Sequence, residues 1–331
     1  MTDHAANAII DFHTHIAATM CFPESFRSGV VDNLAVALHA KGLRVPRGKI
    51  ATMLEATMND PLADELVAEM DSAGIGEAVL LLPDFTFALR DSTHTIEELI
   101  EHHRLVRDRH PGRFRVLAGV DPRWGADGLA LFEKAVLDYG FDGMKLYPPC
   151  GYRLDDPGLF PFYEICNQYG LPVLSHIGAT SPVLDFEIAR PIFVDAAARA
   201  FPRVDFVLAH GSVQYTDECV MLCHNRPNVY IDVSGYETAG MADLHRLFQR
   251  GINHKIVFGT DWPVFRMQGK QADFVARFAR ENAFPDTMTE HERALFFHGN
   301  AERILPPAAA TTGRRSTTAT SDDRPRTPAE R

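Results

Sequence analysis

The chain has 331 residues, 46% hydrophobic and 23% charged, the balance of a globular protein with a substantial core. Its net charge of −11, with no Lys/Arg stripe to offset it, argues against nucleic acid as a partner. No apolar run approaches the ~20 residues of a membrane span. The start, Met1–Asn7, lacks the basic and apolar regions of a secretory leader. Five scattered cysteines without a Cys-x-x-Cys pair fit reduced thiols, so the expected compartment is the cytoplasm.

The first predicted strand, Ala8–His13, runs into Asp11-Phe12-His13-Thr14-His15. Alternation along a strand places Asp11, His13 and His15 on one side. Two imidazoles two residues apart can then chelate one ion from a rigid edge, although His-x-His alone is a weak signal. The connection from residue 16 to about residue 59 is long, carries Arg27, Arg44 and Arg47, and shows a helical pattern around Asp32–Ala40. A connection of that length reads as a lid. Helix Pro61–Ala73 precedes strand Glu77–Leu82, and helix Ile96–Arg109 precedes Phe114–Val120. The alternation continues with helix Gly128–Tyr139 and strand Gly143–Tyr147, then helix Pro161–Tyr169 and strand Pro172–His176. Helix Phe186–Ala200 leads to Val204–His210, Thr216–Asn225 to Val229–Val233, and Ala239–Arg250 to Lys255–Gly259. Helices Gln271–Glu281 and Thr289–Ile304 complete the domain, residues 1–305. The remainder, Pro306–Arg331, has too few large apolar residues to offset ordering entropy and is expected to be disordered.

Eight short apolar strands alternating with helices predict an α/β fold, a single (β/α)₈ TIM barrel with a long first βα insertion. An open doubly wound sheet is disfavoured, because no glycine-rich turn follows the first strand. Barrels place their sites at the C-terminal strand ends. Those ends carry His13 and His15, Lys145, His176, His210 and Asp261. One histidine after an apolar strand is usually structural, but a whole set at equivalent positions points to a metal shell. His13, His15, His176 and Asp261 supply that shell with one position open, and His210 stands beside it. Nitrogen and carboxylate donors suit zinc, with manganese as the other candidate.

The ordered set Asp11-x-His13-x-His15, Gly143–Pro148, Leu174-Ser175-His176, Val207–Gly211, Tyr230–Gly235 and Phe258–Pro263 resembles the amidohydrolase-related family of metal-dependent barrels. The ending Asn300–Leu305 resembles that family's closing helix, so the likeness covers roughly residues 8–305. It implies His13, His15, His176 and Asp261 as metal ligands and His210 as the catalytic histidine. It is similar both to lactone or amide hydrolases and to non-oxidative decarboxylases of aminocarboxymuconate semialdehyde or hydroxybenzoates. Lys145 has three readings: a carboxylated bridge between two metals with His210 as a further ligand, a partner of a neighbouring carboxylate, or an anchor for a substrate acid group. A mononuclear site is the favoured count.

The leading expectation is a zinc hydrolase opening a small cyclic ester, lactone or amide, with Asp261 taking the proton of a metal-activated water and His210 stabilising the oxyanion. The alternative is a carboxy-lyase using the same shell. Lys145, Tyr147, Arg27, Arg44, Arg153 and Trp262 are the candidates for contact with a small anionic or carbonyl substrate. Asp232 is a candidate support for a ligand histidine, and Tyr152 a candidate pocket residue. Cys219 and Cys223 share a helix face near His224 and read as buried thiols rather than a zinc fragment. His102 and His103 read as solvated. No membrane partner is expected, and homo-oligomerisation stays open.

Overall fold

The computed structural model describes residues 9–211, 213–236 and 240–307. Eight parallel strands form one sheet: β1 (Ile9–Thr14), β2 (Ile75–Leu82), β3 (Phe114–Ala118), β4 (Gly143–Leu146), β5 (Val173–Ser175), β6 (Phe206–Leu208), β7 (Val229–Asp232) and β8 (Ile256–Val257), in that spatial order. Because helices cover the outside and side chains fill the inside, the strands read as unbroken apolar runs. Ile10, Phe12, Leu81, Leu117, Leu174 and Val207 belong to the interior cluster. The alternate residues pack outward under the helices.

The barrel closes between β1 and the residues around β8 through single backbone bonds rather than a ladder. Phe12 N donates to Phe258 O (2.9 Å), Asp261 N to His13 O (2.7 Å) and His15 N to Trp262 O (2.7 Å). The β1–β2 pairing shifts register between Asp11 and Thr14. This bulge breaks the expected alternation, so Asp11 does not share a face with His13 and His15. It turns outward and accepts from Thr260 N (3.0 Å), Thr260 Oγ1 (2.6 Å) and Gln271 Nε2 (2.9 Å).

The first connection folds as α1 (Glu24–Ala40) and α2 (Arg47–Ala56), tied at its base by a two-residue ribbon pairing Ala17–Ala18 with Asn59–Asp60. Arg27 donates to Glu55 (3.1 Å) and so joins the two helices. α1 rests on the loop after β5: Ser181 Oγ donates to Phe26 O (2.8 Å), and a Cβ at Gly29 would clash with Ser181 Oγ. Helices α3 (Asp64–Ala73), α4 (Ile96–Arg109), α5 (Gly125–Leu137) and α6 (Phe160–Tyr169) match the predicted ones closely. The single helix expected over 186–200 is instead two 3₁₀ turns, Glu187–Ala189 and Pro191–Val194, followed by α7 (Asp195–Ala200). Pro191 has no amide proton to continue a helix. After α8 (Thr216–Asn225), α9 (Met241–Phe248) and α10 (Gln271–Arg280), the closing helix divides into α11 (Glu290–Ala294), a π turn Leu295–Gly299 and α12 (Asn300–Ile304). The π turn frees Phe296 O to accept from Phe258 N (3.1 Å), just before the loop that carries Asp261.

All five cysteines are buried and none is in a disulfide. His103, expected to be solvated, is buried and bonds Leu99 O through Nδ1, because α4 turns that face onto the barrel. Pro306, assigned to the tail by sequence, is buried, and its carbonyl accepts from Arg115. The rest of the tail from residue 308 lies outside the described residues. Among those described, no helix is long and apolar enough to cross a membrane.

Candidate metal centre

β1 delivers His13 and His15, β4 delivers Lys145, and the ends of β5 and β6 deliver His176 and His210. The loop after β8 delivers Asp261. His210 (φ 63°) and Asp261 (φ 51°) adopt left-handed backbone, strain that recurs where side chains are turned into a site. Asp261 Oδ1 lies 3.2 Å from Nε2 of both His13 and His15. Donor atoms of these three residues lie within 4.8 Å of one another.

Hydrogen bonding dictates which ring nitrogen of each histidine carries the proton. His15 Nδ1 faces Leu81 O at 2.8 Å, and a carbonyl only accepts, so Nδ1 is the donor. His13 Nδ1 likewise donates to Asp232 Oδ2 (2.8 Å). Ser234 Oγ donates to Asp232 Oδ1 (2.5 Å) and accepts from His210 Nδ1 (2.9 Å). His210 Nε2 is then an acceptor, filled by His176 Nδ1 at 3.0 Å. Thus His13, His15 and His176 all present a bare Nε2 lone pair. That of His176 is buried with no hydrogen-bond partner, as is Lys145 Nζ.

Burial sets the electrostatics. It lowers His15 and His176 below the usual imidazole range and brings His210 down to about 4. His13 is held above that range, because Asp232 and Asp261 outweigh burial. Burial would raise Asp261, yet His13 and His15 hold it well below the ordinary carboxylate value. Lys145 falls to about 8 through burial, offset in part by Asp261 and Asp232. The Nε2 atoms of His13 and His15 with the anionic Asp261 form a donor cluster suited to a divalent cation, and His176 lines the same cavity without joining that cluster.

A cavity of about 470 Å³ opens over this cluster. Lys145 and Tyr147 line it, and Tyr147 stacks on His176 with ring centroids 4.3 Å apart. The other four substrate-contact candidates do not line it. Arg27 is committed to Glu55 and Phe22 O, Arg44 is exposed, and Arg153 pairs with Asp155 while lying over Phe193. Trp262 points behind the centre and donates to Glu69. Tyr152 supports from below: its hydroxyl accepts from Tyr147 N (2.7 Å). Sequence reasoning passed over two contributors. Ser234 was readable as the polar residue two after Asp232. The cavity-facing stripe of α1 was readable as Phe26, Val30, Leu34 and Ala37 at helical spacing.

An amidohydrolase family model matches residues 10–306. The chain belongs to the amidohydrolase family. Among its relatives, a 2-amino-3-carboxymuconate-6-semialdehyde decarboxylase of Dictyostelium discoideum is 25% identical over 174 residues, 50% of this chain and 48% of the relative. The match therefore spans about half the length of that relative. An uncharacterised TIM-barrel protein of Bordetella bronchiseptica superposes with a TM-score of 0.65 at 20% identity, covering 92% of this chain and 99% of that one. A 5-carboxyvanillate decarboxylase of Novosphingobium aromaticivorans, solved with bound manganese, has a TM-score of 0.61 at 14% identity, covering 91% and 97%. At these identities the solved structures establish the family's barrel.

Proposed function

We propose that the protein is a divalent-metal-dependent, non-oxidative decarboxylase of a small organic acid, with His13, His15, His176 and Asp261 as ligands. The observation carrying this reading is the cluster of His13, His15 and Asp261 beside two unpartnered buried nitrogens, His176 Nε2 and Lys145 Nζ, in a cavity lined mainly by apolar side chains. The names of the relatives support carbon dioxide loss over the opening of a cyclic ester or amide, which had been the leading expectation from sequence. When bound, the ion supplies a Lewis-acidic anchor for substrate oxygen; zinc and manganese both suit the donors. Lys145 supplies a positive charge for the substrate's acid group. Apolar walls exclude water and weaken solvation of the carboxylate that must leave. To act, His210 Nε2 gives up the hydrogen bond it accepts from His176 Nδ1; it then takes up a proton and carries it to the carbon whose carboxyl bond breaks, that carbon keeping the electron pair. Asp232, linked through Ser234 to His210 Nδ1, stabilises the imidazolium while that proton is held.

The test is a metal-loaded enzyme assayed on carboxymuconate-type acids, hydroxybenzoates and lactones. Release of one carbon dioxide per turnover, abolished in His210→Asn with metal content retained, is the expected result. Lactone or amide opening without carbon dioxide would restore the hydrolase reading.

A further inference from the structure

The walls of the cavity are uneven in a way that bears on what enters it. Phe22, Phe26, Phe85 and Tyr147 form a continuous aromatic wall between the ligand histidines. Phe22 lies 6.0 Å from the His15 ring, Phe22–Phe26 and Phe26–Phe85 are 5.9 and 4.7 Å apart, and Phe85–Tyr147 is 4.8 Å. Above this wall the lid adds Val30, Leu34 and Ala37 from α1, with Asn33 the one polar side chain of that helix in the lining, and Leu54 from α2. The α1 positions fall at the four- and three-residue spacings that keep side chains on one helix face. Lys145 is the one Lys or Arg among the described lining residues, and it sits at the metal end. The lid's own arginines are turned away: Arg27 holds Glu55, and Arg47 holds Asp32.

We infer that the substrate is a planar acid with one acid group at the metal end and an apolar substituent extending under the lid. This rests on the cavity being the substrate site of the proposed decarboxylase. A ring fits the aromatic wall in offset or edge-on contact, and an alkyl or similar group meets the aliphatic face. A second carboxylate at the far end would be buried without a cation, an arrangement that costs far more than it returns.

Binding of 4-methyl-, 4-ethyl-, 4-propyl- and 4-butylbenzoate to the metal-loaded full chain, measured by calorimetry with benzene-1,4-dicarboxylate for comparison, tests this. Affinity should rise about fourfold for each added methylene. The dicarboxylate should bind about tenfold more weakly than 4-methylbenzoate. Leu34→Arg should reverse the order, gaining the dicarboxylate and losing the butyl compound. A flat alkyl series, a dicarboxylate that binds wild type more tightly than 4-methylbenzoate, or a folded Leu34→Arg protein that shifts neither ligand would overturn the inference. The wild-type series decides it even if that variant fails to fold. A rising series with no carbon dioxide released from any acid would remove the decarboxylase reading alone. Turnover of a diacid alongside a flat series would remove this inference alone.

Discussion

Ser234 has one hydroxyl proton and two lone pairs, and its neighbours in the candidate metal centre engage all three. It donates to Asp232, accepts from His210 Nδ1, and lies 3.1 Å from the His13 Nδ1 that Asp232 also holds. With the serine present, His210 Nε2 is unprotonated and His176 Nδ1 must be the donor, which bares His176 Nε2. In Ser234→Ala that constraint is gone, and both rings are free to take the other tautomer. Metal affinity should fall by about 10- to 100-fold, the usual cost of losing such support. The melting temperature of the metal-free protein should change by no more than loss of one or two hydrogen bonds allows, about 1–2 kcal/mol. Chelator competition reads the affinity, and Ser234→Thr should restore it. Unchanged metal affinity in the alanine variant would reduce Ser234 to a packing residue.

At the level of elements, α1 forms part of the cavity wall, held down by close approach at Gly29. Any side chain there meets Ser181 Oγ and the Pro182 ring. Gly29→Val should lift α1 and raise KM about tenfold, in keeping with overpacking costs of about 1–3 kcal/mol. Metal content should stay unchanged; a variant with wild-type KM would show that the lid does not shape the substrate pocket. The insertion was legible in the sequence as a long connection leaving His15, and so were the eight strands, because alternating apolar runs and helical periodicity are local signals. What the sequence did not disclose was which side chains of the insertion face inward. Arg27 and Arg44 attracted attention by charge, yet the Arg27–Glu55 pair joins two segments whose contact is set only by tertiary folding. The bulge after Asp11 was hidden for the same reason: alternation is a rule of regular pairing, and a register shift depends on the neighbouring strand. The clustering of the candidate histidines was readable because each ends or follows an apolar strand, whereas their tautomers depend on Asp232, Ser234 and Leu81 O, which only the fold brings near.

For the molecule as a whole, the closing seam of the barrel and the candidate metal centre occupy the same place. His13 and His15 stand on one side of the seam and Asp261 on the other, with the backbone bonds Asp261 N to His13 O and His15 N to Trp262 O between them. An ion held by these residues ties the seam together. At a free concentration 100 times Kd it should add about 2.7 kcal/mol to stability. Removing it with a chelator should lower the melting temperature by several degrees and speed amide exchange in residues 9–15 and 256–262 ahead of β3 and β4. Uniform exchange throughout the sheet would mean that the ion does not secure the seam.

The same seam gives the site a timetable. A chain made from its N-terminus exposes the His13/His15 pair early, long before His176 and Asp261 exist to join it. The full donor set exists only once the loop after β8 lies against β1. The ion therefore cannot act as a template for early folding. An ion held by this donor set would need Asp261, so a chain cut short before that residue would lack one of the donors. If the proposed site holds an ion, a fragment ending near α9 should emerge metal-free even in medium rich in zinc or manganese, whereas the full chain should bind it.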